Sequence, residues 1–161
     1  MRSQIAVEEW THPIERLGVV QALKTSFLAY PLVNAAHILA IGALITSVIL
    51  IDLRLLGWLG EMPERPFVRL MRRIAICAIV VAALTGIAMF AVRASDYAAS
   101  PLFWVKMTLI LLAGLNFLAF LLLDRRRMPG AAMSPAARFS IAMSLSLWPA
   151  VLIAGRFLGF L

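Results

Sequence analysis

The sequence predicts an all-α fold, a four-transmembrane-helix bundle with an N-terminal interfacial amphipathic helix. Three observations carry that reading. The 161 residues are 63% hydrophobic, where soluble domains run nearer about half, and the mean hydropathy is +0.94. Four apolar runs are each long enough to cross ~30 Å of hydrocarbon at ~1.5 Å per residue. Charged residues make up 14% of the chain and cluster between those runs.

Residues 1–30 form a tail and 31–161 the bundle, with spans at about 31–51, 74–92, 102–123 and 139–160. In the tail, Thr11-His12-Pro13 is a helix start signal. Leu17, Val20, Leu23 and Phe27 then recur at helical spacing. Pro13–Ala29 therefore reads either as a helix lying on the membrane surface or as an ordinary surface connector. Glu8, Glu9 and Glu15 interrupt any signal-peptide core. Pro31 suits the start of the first span, because its fixed φ and missing N–H cost nothing there. Tyr30, Tyr97 and Trp104 fall near span ends, where amphipathic aromatics belong.

The net charge of +7 does not indicate a nucleic-acid partner, since the basic residues flank apolar spans. The 52–73 connection carries Arg54, Arg65, Arg69, Arg72 and Arg73. The 124–138 connection carries Arg125, Arg126, Arg127 and Arg138. Only Arg93 lies between the second and third spans. The positive-inside rule puts both arginine-rich loops in the cytoplasm and both termini outside. In a bacterial inner membrane, outside is the periplasm. Cys77, the one cysteine, reads as a small core residue.

Polar residues inside the spans converge on one level. His37 lies six residues into the first span, Lys106 near the start of the third, Arg156 near the end of the fourth, and Arg93 closes the second. On this topology all four belong to the outer half. Tyr30, Asn34 and His37, at i, i+4 and i+7, share a helix face. Three explanations fit: long side chains snorkelling to headgroups, a structural polar layer, or a site for an anionic ligand such as porphyrin propionates. Neutral imidazole is a good axial ligand for haem iron, which makes His37 the candidate metal ligand.

Packing devices are also visible. Ala78, Ala82 and Gly86 recur at four-residue intervals, as do Ala142, Ser146, Ala150 and Ala154. Such stripes let membrane helices approach each other or a second protomer. Thr85 and Asn116 read as interhelical hydrogen-bond sites. Pro149 is expected to bend the fourth span and free a carbonyl near Leu145, with Ser144 or Ser146 in reach. In "IDLRLLG" (51–57), Gly57 is expected to end the first helix. Asp52 and Arg54 read as an inner-interface anchor or as a contact to a cytoplasmic partner. The apolar runs contain no Asp or Glu, which argues against a proton-coupled pump.

The stretches "YPLVNAAHILAIGALI", "IDLRLLG", "PLFWVKMTLILLAGLN" and "SLSLWPAVLIAGRFLGF" resemble an uncharacterised bacterial four-helix membrane family, a domain of unknown function. More distantly, the membrane His with its Gly-containing run, the entry "VRLMRRI" and the motif "FWVKM" resemble the HemJ-type protoporphyrinogen oxidases. That resemblance implies haem b and gives roles to His37 and Lys106, and more weakly to Arg54. The fourth span, "WPAVLIAGRFLGFL", departs from that pattern.

The expectations for function are therefore these. One is a membrane protein binding haem b in the outer half for redox chemistry, with His37 as axial ligand and Lys106, Arg156 and Arg93 facing propionates. His12, Met89, Lys106 or a partner chain would supply a second ligand; without one the iron stays five-coordinate. The alternative is a non-catalytic subunit or scaffold, packed as a homo-oligomer or against a larger membrane complex. A small transporter ranks third, because no inverted repeat is visible.

Overall fold

The computed structural model describes residues 11–125, 127–128 and 131–159. Glu8 and Glu9, Arg126 and the last residue of the fourth predicted span lie outside the described residues. The helices with described bounds follow in order: α1 Gly18–Thr25, α2 Ala29–Leu55, α3 Glu64–Val92, α4 Ala94–Ala99, α5 Pro101–Asp124 and α6 Pro135–Leu158. Residues 11–15 are helical as well. No strand occurs among the described residues. Helices α2, α3, α5 and α6 are long and apolar enough to cross a membrane, so the chain is an all-helical, multi-pass membrane protein.

Capping chemistry sets the helix ends. Ser134 accepts a hydrogen bond from Ala137 N–H at 3.2 Å, with Pro135 in the first turn of α6, where its missing N–H is harmless. Ser26 does the same for Ala29 at the start of α2. Gly57 takes φ +92°. Its N–H reaches Arg54 O and the N–H of Trp58 reaches Leu53 O, the paired bonds of a Schellman cap. Gly57 thus ends the first long helix, as its position predicts.

The helices run further than the apolar runs, and this corrects the sequence reading at one place. α2 continues to Leu55, so Asp52 sits inside the helix and is only 6% exposed. The first membrane helix therefore carries a buried acid. α3 likewise begins at Glu64, and Arg65, Arg69, Arg72 and Arg73 decorate its first turns instead of a loop. Hydropathy marks the greasy part of a helix, while backbone hydrogen bonding carries it into the polar flanks.

The tail also differs from its periodicity. The segment 13–29 is not one helix: it breaks at Arg16–Leu17 and again at 26–28. Only Val20 of the expected stripe is buried, at 6%, while Leu17 and Phe27 are exposed. α1 docks on α3 and on the start of α2.

The bundle consists of two hairpins. α2 packs along α3 and α5 along α6, and the hairpins join along α2 and α6. The central contact is Leu44 and Ile45 against Ala75, Ala78, Ala113, Leu147 and Trp148. α3 and α5, by contrast, do not approach within 8 Å, Cα to Cα. A lateral window is left between them. Its end nearer the termini is filled by Phe90, Tyr97, Phe103 and Trp104, with Phe90 and Phe103 stacked at 5.3 Å between centroids. Its arginine-rich end is bridged by Arg127, which bonds both Glu64 of α3 and Asp124 of α5.

Candidate functional site

Two polar sites face the interior, one at each end. At the end nearer the termini, His37 points from α2 onto the small-residue stripe of α3. Its Nδ1 lies 2.8 Å from Thr85 Oγ1. Thr85 in turn donates to Val81 O at 2.6 Å. A hydroxyl has one proton. With that proton committed to Val81, the Thr85 oxygen accepts, and Nδ1 of His37 carries the hydrogen. The lone pair of the neutral ring is then on Nε2. Gly86 makes the approach possible, since a β-carbon there would stand 3.1 Å from His37 Cε1. The Ala78–Gly86 stripe therefore serves α2 and His37. The α6 stripe does not meet it, because α3 and α6 do not approach each other.

Lys106 extends from α5 to α6. Gly155 leaves room for it: a β-carbon there would lie 3.3 Å from Lys106 Cε and 3.5 Å from Nζ. The ammonium is within electrostatic range of His37. His37 and Lys106, 69 positions apart in sequence, are thus close enough to feel each other's charge, with no hydrogen bond between them among the described residues.

The other residues expected at this level have separate surroundings. Arg93 pairs with Asp96 at 2.8 Å. Tyr30 lies beside Arg93 and the phenol of Tyr97, whose pKa burial pushes up. Asn34 is half-buried and makes no side-chain hydrogen bond among the described residues. Arg156 is exposed. His12 is exposed on the tail near Glu15. Met89 is half-buried on α3. Glu15 fastens that tail: its carboxylate accepts from both the N–H and the hydroxyl of Ser95, each at 2.8 Å.

The second site, at the arginine-rich end, combines residues that were read separately in the sequence. A cavity of about 100 Å³ in the centre of the bundle is lined by Asp52, Arg72, Asn116, Ser140 and Ser144 among apolar neighbours. Asn116 donates to Ser140 O at 2.9 Å, and the Ser140 hydroxyl returns to Asn116 Oδ1 at 2.9 Å. Ser144 bonds the Asp52 carboxylate. It therefore leaves the carbonyl near Pro149 alone, and Ser146 donates to Ala142 O instead. Arg54 turns away from Asp52 to donate to Met62 O at 2.7 Å, pinning the 56–63 connection. Two groups remain unsatisfied in this region: Asp52 Oδ2 and Arg72 Nε are buried without a hydrogen-bond partner. The sequence signal for this site was present in the triplet of helical polar positions Asn116, Ser140 and Ser144. Placing Asp52 beyond the apolar span, at the inner interface, concealed it.

Among the described residues, no three His, Cys, Asp or Glu side chains gather as a metal-binding cluster. No family model, curated protein or solved structure matches the chain.

Proposed function

We propose that this membrane protein binds haem b in the outer half of the bundle, with His37 as the residue that would hold the iron. The supporting observation is the contact of the ring with Thr85. Nδ1 lies 2.8 Å from Thr85 Oγ1, as the second nitrogen of a metal-ligating histidine is usually hydrogen-bonded, and with Nδ1 so engaged Nε2 is the nitrogen that would serve a metal. Lys106, within electrostatic range of that ring, is the cation available to a propionate. Bound there, the group would supply one-electron or gas-binding chemistry. With His37 as the holding residue, the group would be suited to an exogenous ligand more than to plain electron relay. The proposed orientation has the arginine-rich end in the cytoplasm of a bacterial cell and both termini outside.

A reduced-minus-oxidised spectrum of the protein, purified in mild detergent from haem-supplied cells, tests the reading. A b-type band is expected, lost in His37→Ala and kept in His12→Ala. Absence of the band in the unaltered protein rejects haem.

A second reading, a non-catalytic subunit, is favoured by one observation. Ala142 and Ser146 are exposed at four-residue spacing on α6, a surface suited to another helix. Intermolecular crosslinks from cysteines placed at those positions, in a protein without a haem band, would support it.

A further inference from the structure

The arginine-rich end holds more polar capacity than the fold uses. Arg65, Arg69, Arg72 and Arg73 project from one face of α3 into an open vestibule of about 370 Å³. Arg127 shares this vestibule, but Glu64 and Asp124 neutralise it. The other four guanidinium groups form no salt bridge among the described residues. Arg72 also lines the inner cavity, so the vestibule and the cavity meet at this side chain.

Inside, the unpartnered Arg72 Nε–H asks for an acceptor and the unpartnered Asp52 Oδ2 asks for a donor. Asp52 is 6% exposed. A buried polar atom without a partner is costly, and here two such atoms, on side chains of opposite sign, border one cavity without forming a salt bridge. Their ligand should therefore carry an anionic acceptor next to a hydrogen-bond donor. The cavity also opens sideways. Ile76, Ile79 and Phe117 line it and are at the same time 54%, 41% and 40% exposed on the flank between α3 and α5. Access is from lipid, along apolar side chains.

We infer that this end is a specific site for a phospholipid whose phosphodiester is followed by an ammonium, as in phosphatidylethanolamine. The phosphate sits on Arg72 with Arg69 at the vestibule, the ammonium is accepted by Asp52, and the acyl chains leave through the window. The charges then alternate from guanidinium to phosphate to ammonium to carboxylate. The site is independent of His37.

Native mass spectrometry of the full-length protein, delipidated in neutral detergent, tests this with phosphatidylethanolamine against phosphatidylcholine. Both are zwitterionic, so general attraction to arginine cancels, and only the former has N–H donors. Retention of phosphatidylethanolamine is expected to exceed that of phosphatidylcholine by about tenfold, the scale of one charged hydrogen bond. Asp52→Asn should remove most of that preference, and Arg69→Gln, an exposed change safe for folding, should weaken both lipids together. Equal retention of the two lipids by the unaltered protein overturns the proposal. So does displacement of bound phosphatidylethanolamine by millimolar inorganic phosphate, which would assign the vestibule to a soluble ion.

Discussion

The His37 ring occupies the notch left by the missing side chain of Gly86, with Cε1 3.1 Å from the place of a β-carbon. One methyl there requires the ring to move by a few tenths of an ångström. Gly86→Val requires more than the Thr85 bond allows. It is expected to destabilise the bundle by about 1–3 kcal/mol, the usual cost of overpacking. Gly86→Ala should cost less. Gly155→Ala should cost least, because the flexible end of Lys106 can swing aside. Unfolding in mixed micelles reads all three; an unaltered midpoint for Gly86→Val contradicts this packing.

Thr85 and Asn116 each place a hydrogen bond between helices. In a membrane such bonds average about 0.6 kcal/mol, with a maximum near ~1.7. The Ser140 hydroxyl donates to Asn116 Oδ1, while Asn116 Nδ2 donates to the Ser140 backbone carbonyl. A double-mutant cycle on Asn116→Ala and Ser140→Ala should give a coupling in that range. For Thr85→Val the loss should be recovered by Thr85→Ser. Zero coupling between Asn116 and Ser140 would contradict the observed pair.

Arg127 ties α3 to α5 where the two helices otherwise stand apart. Arg127 and Glu64 have side chains 11% and 14% exposed, so water offers little replacement. Arg127→Ala is expected to cost about 1.5–3 kcal/mol, the range for charge-assisted hydrogen bonds. It should also widen the separation of spin labels placed at the cytoplasm-proposed ends of α3 and α5. Narrow, unchanged distance distributions would show that the bridge is dispensable.

Glu15 joins the tail to α4. The backbone N–H of Ser95, and then its hydroxyl, hold the carboxylate below its ordinary value of 4.5. A depressed pKa in the folded state contributes stability that is fully present above the unfolded value. That stability is lost as pH falls through the folded value, so undocking belongs below pH 4.5. Label distances between α1 and α4 should be constant from neutral pH to about pH 5 and lengthen under stronger acid. In Glu15→Ala they should be long throughout. A distance indifferent to both changes would remove Glu15 from the docking account.

The described chain enters the first membrane helix and leaves the fourth at the same end of the bundle. A phosphatase fused to the C-terminus should be active and a fluorescent protein dark, if the arginine-rich loops are cytoplasmic. The opposite pattern would invert the proposed orientation.

The sequence by itself determined the number of membrane helices, their order and the cap at Gly57. Apolar runs of spanning length, Pro and Gly at helix ends and arginine between runs are local signals, and each was legible in a single stretch. It also marked His37 and Lys106, because a polar group inside an apolar run is conspicuous wherever the helix goes. Which groups meet was decided by tertiary structure alone. Rotation about the α2 axis puts His37 on Gly86 and Thr85. Separation of α3 from α5 opens the window. Continuation of α2 past its apolar run carries Asp52 into a cavity with Arg72, Asn116 and Ser144. Those relations depend on how helices rotate and pack against each other, and hydropathy along one chain has no record of either.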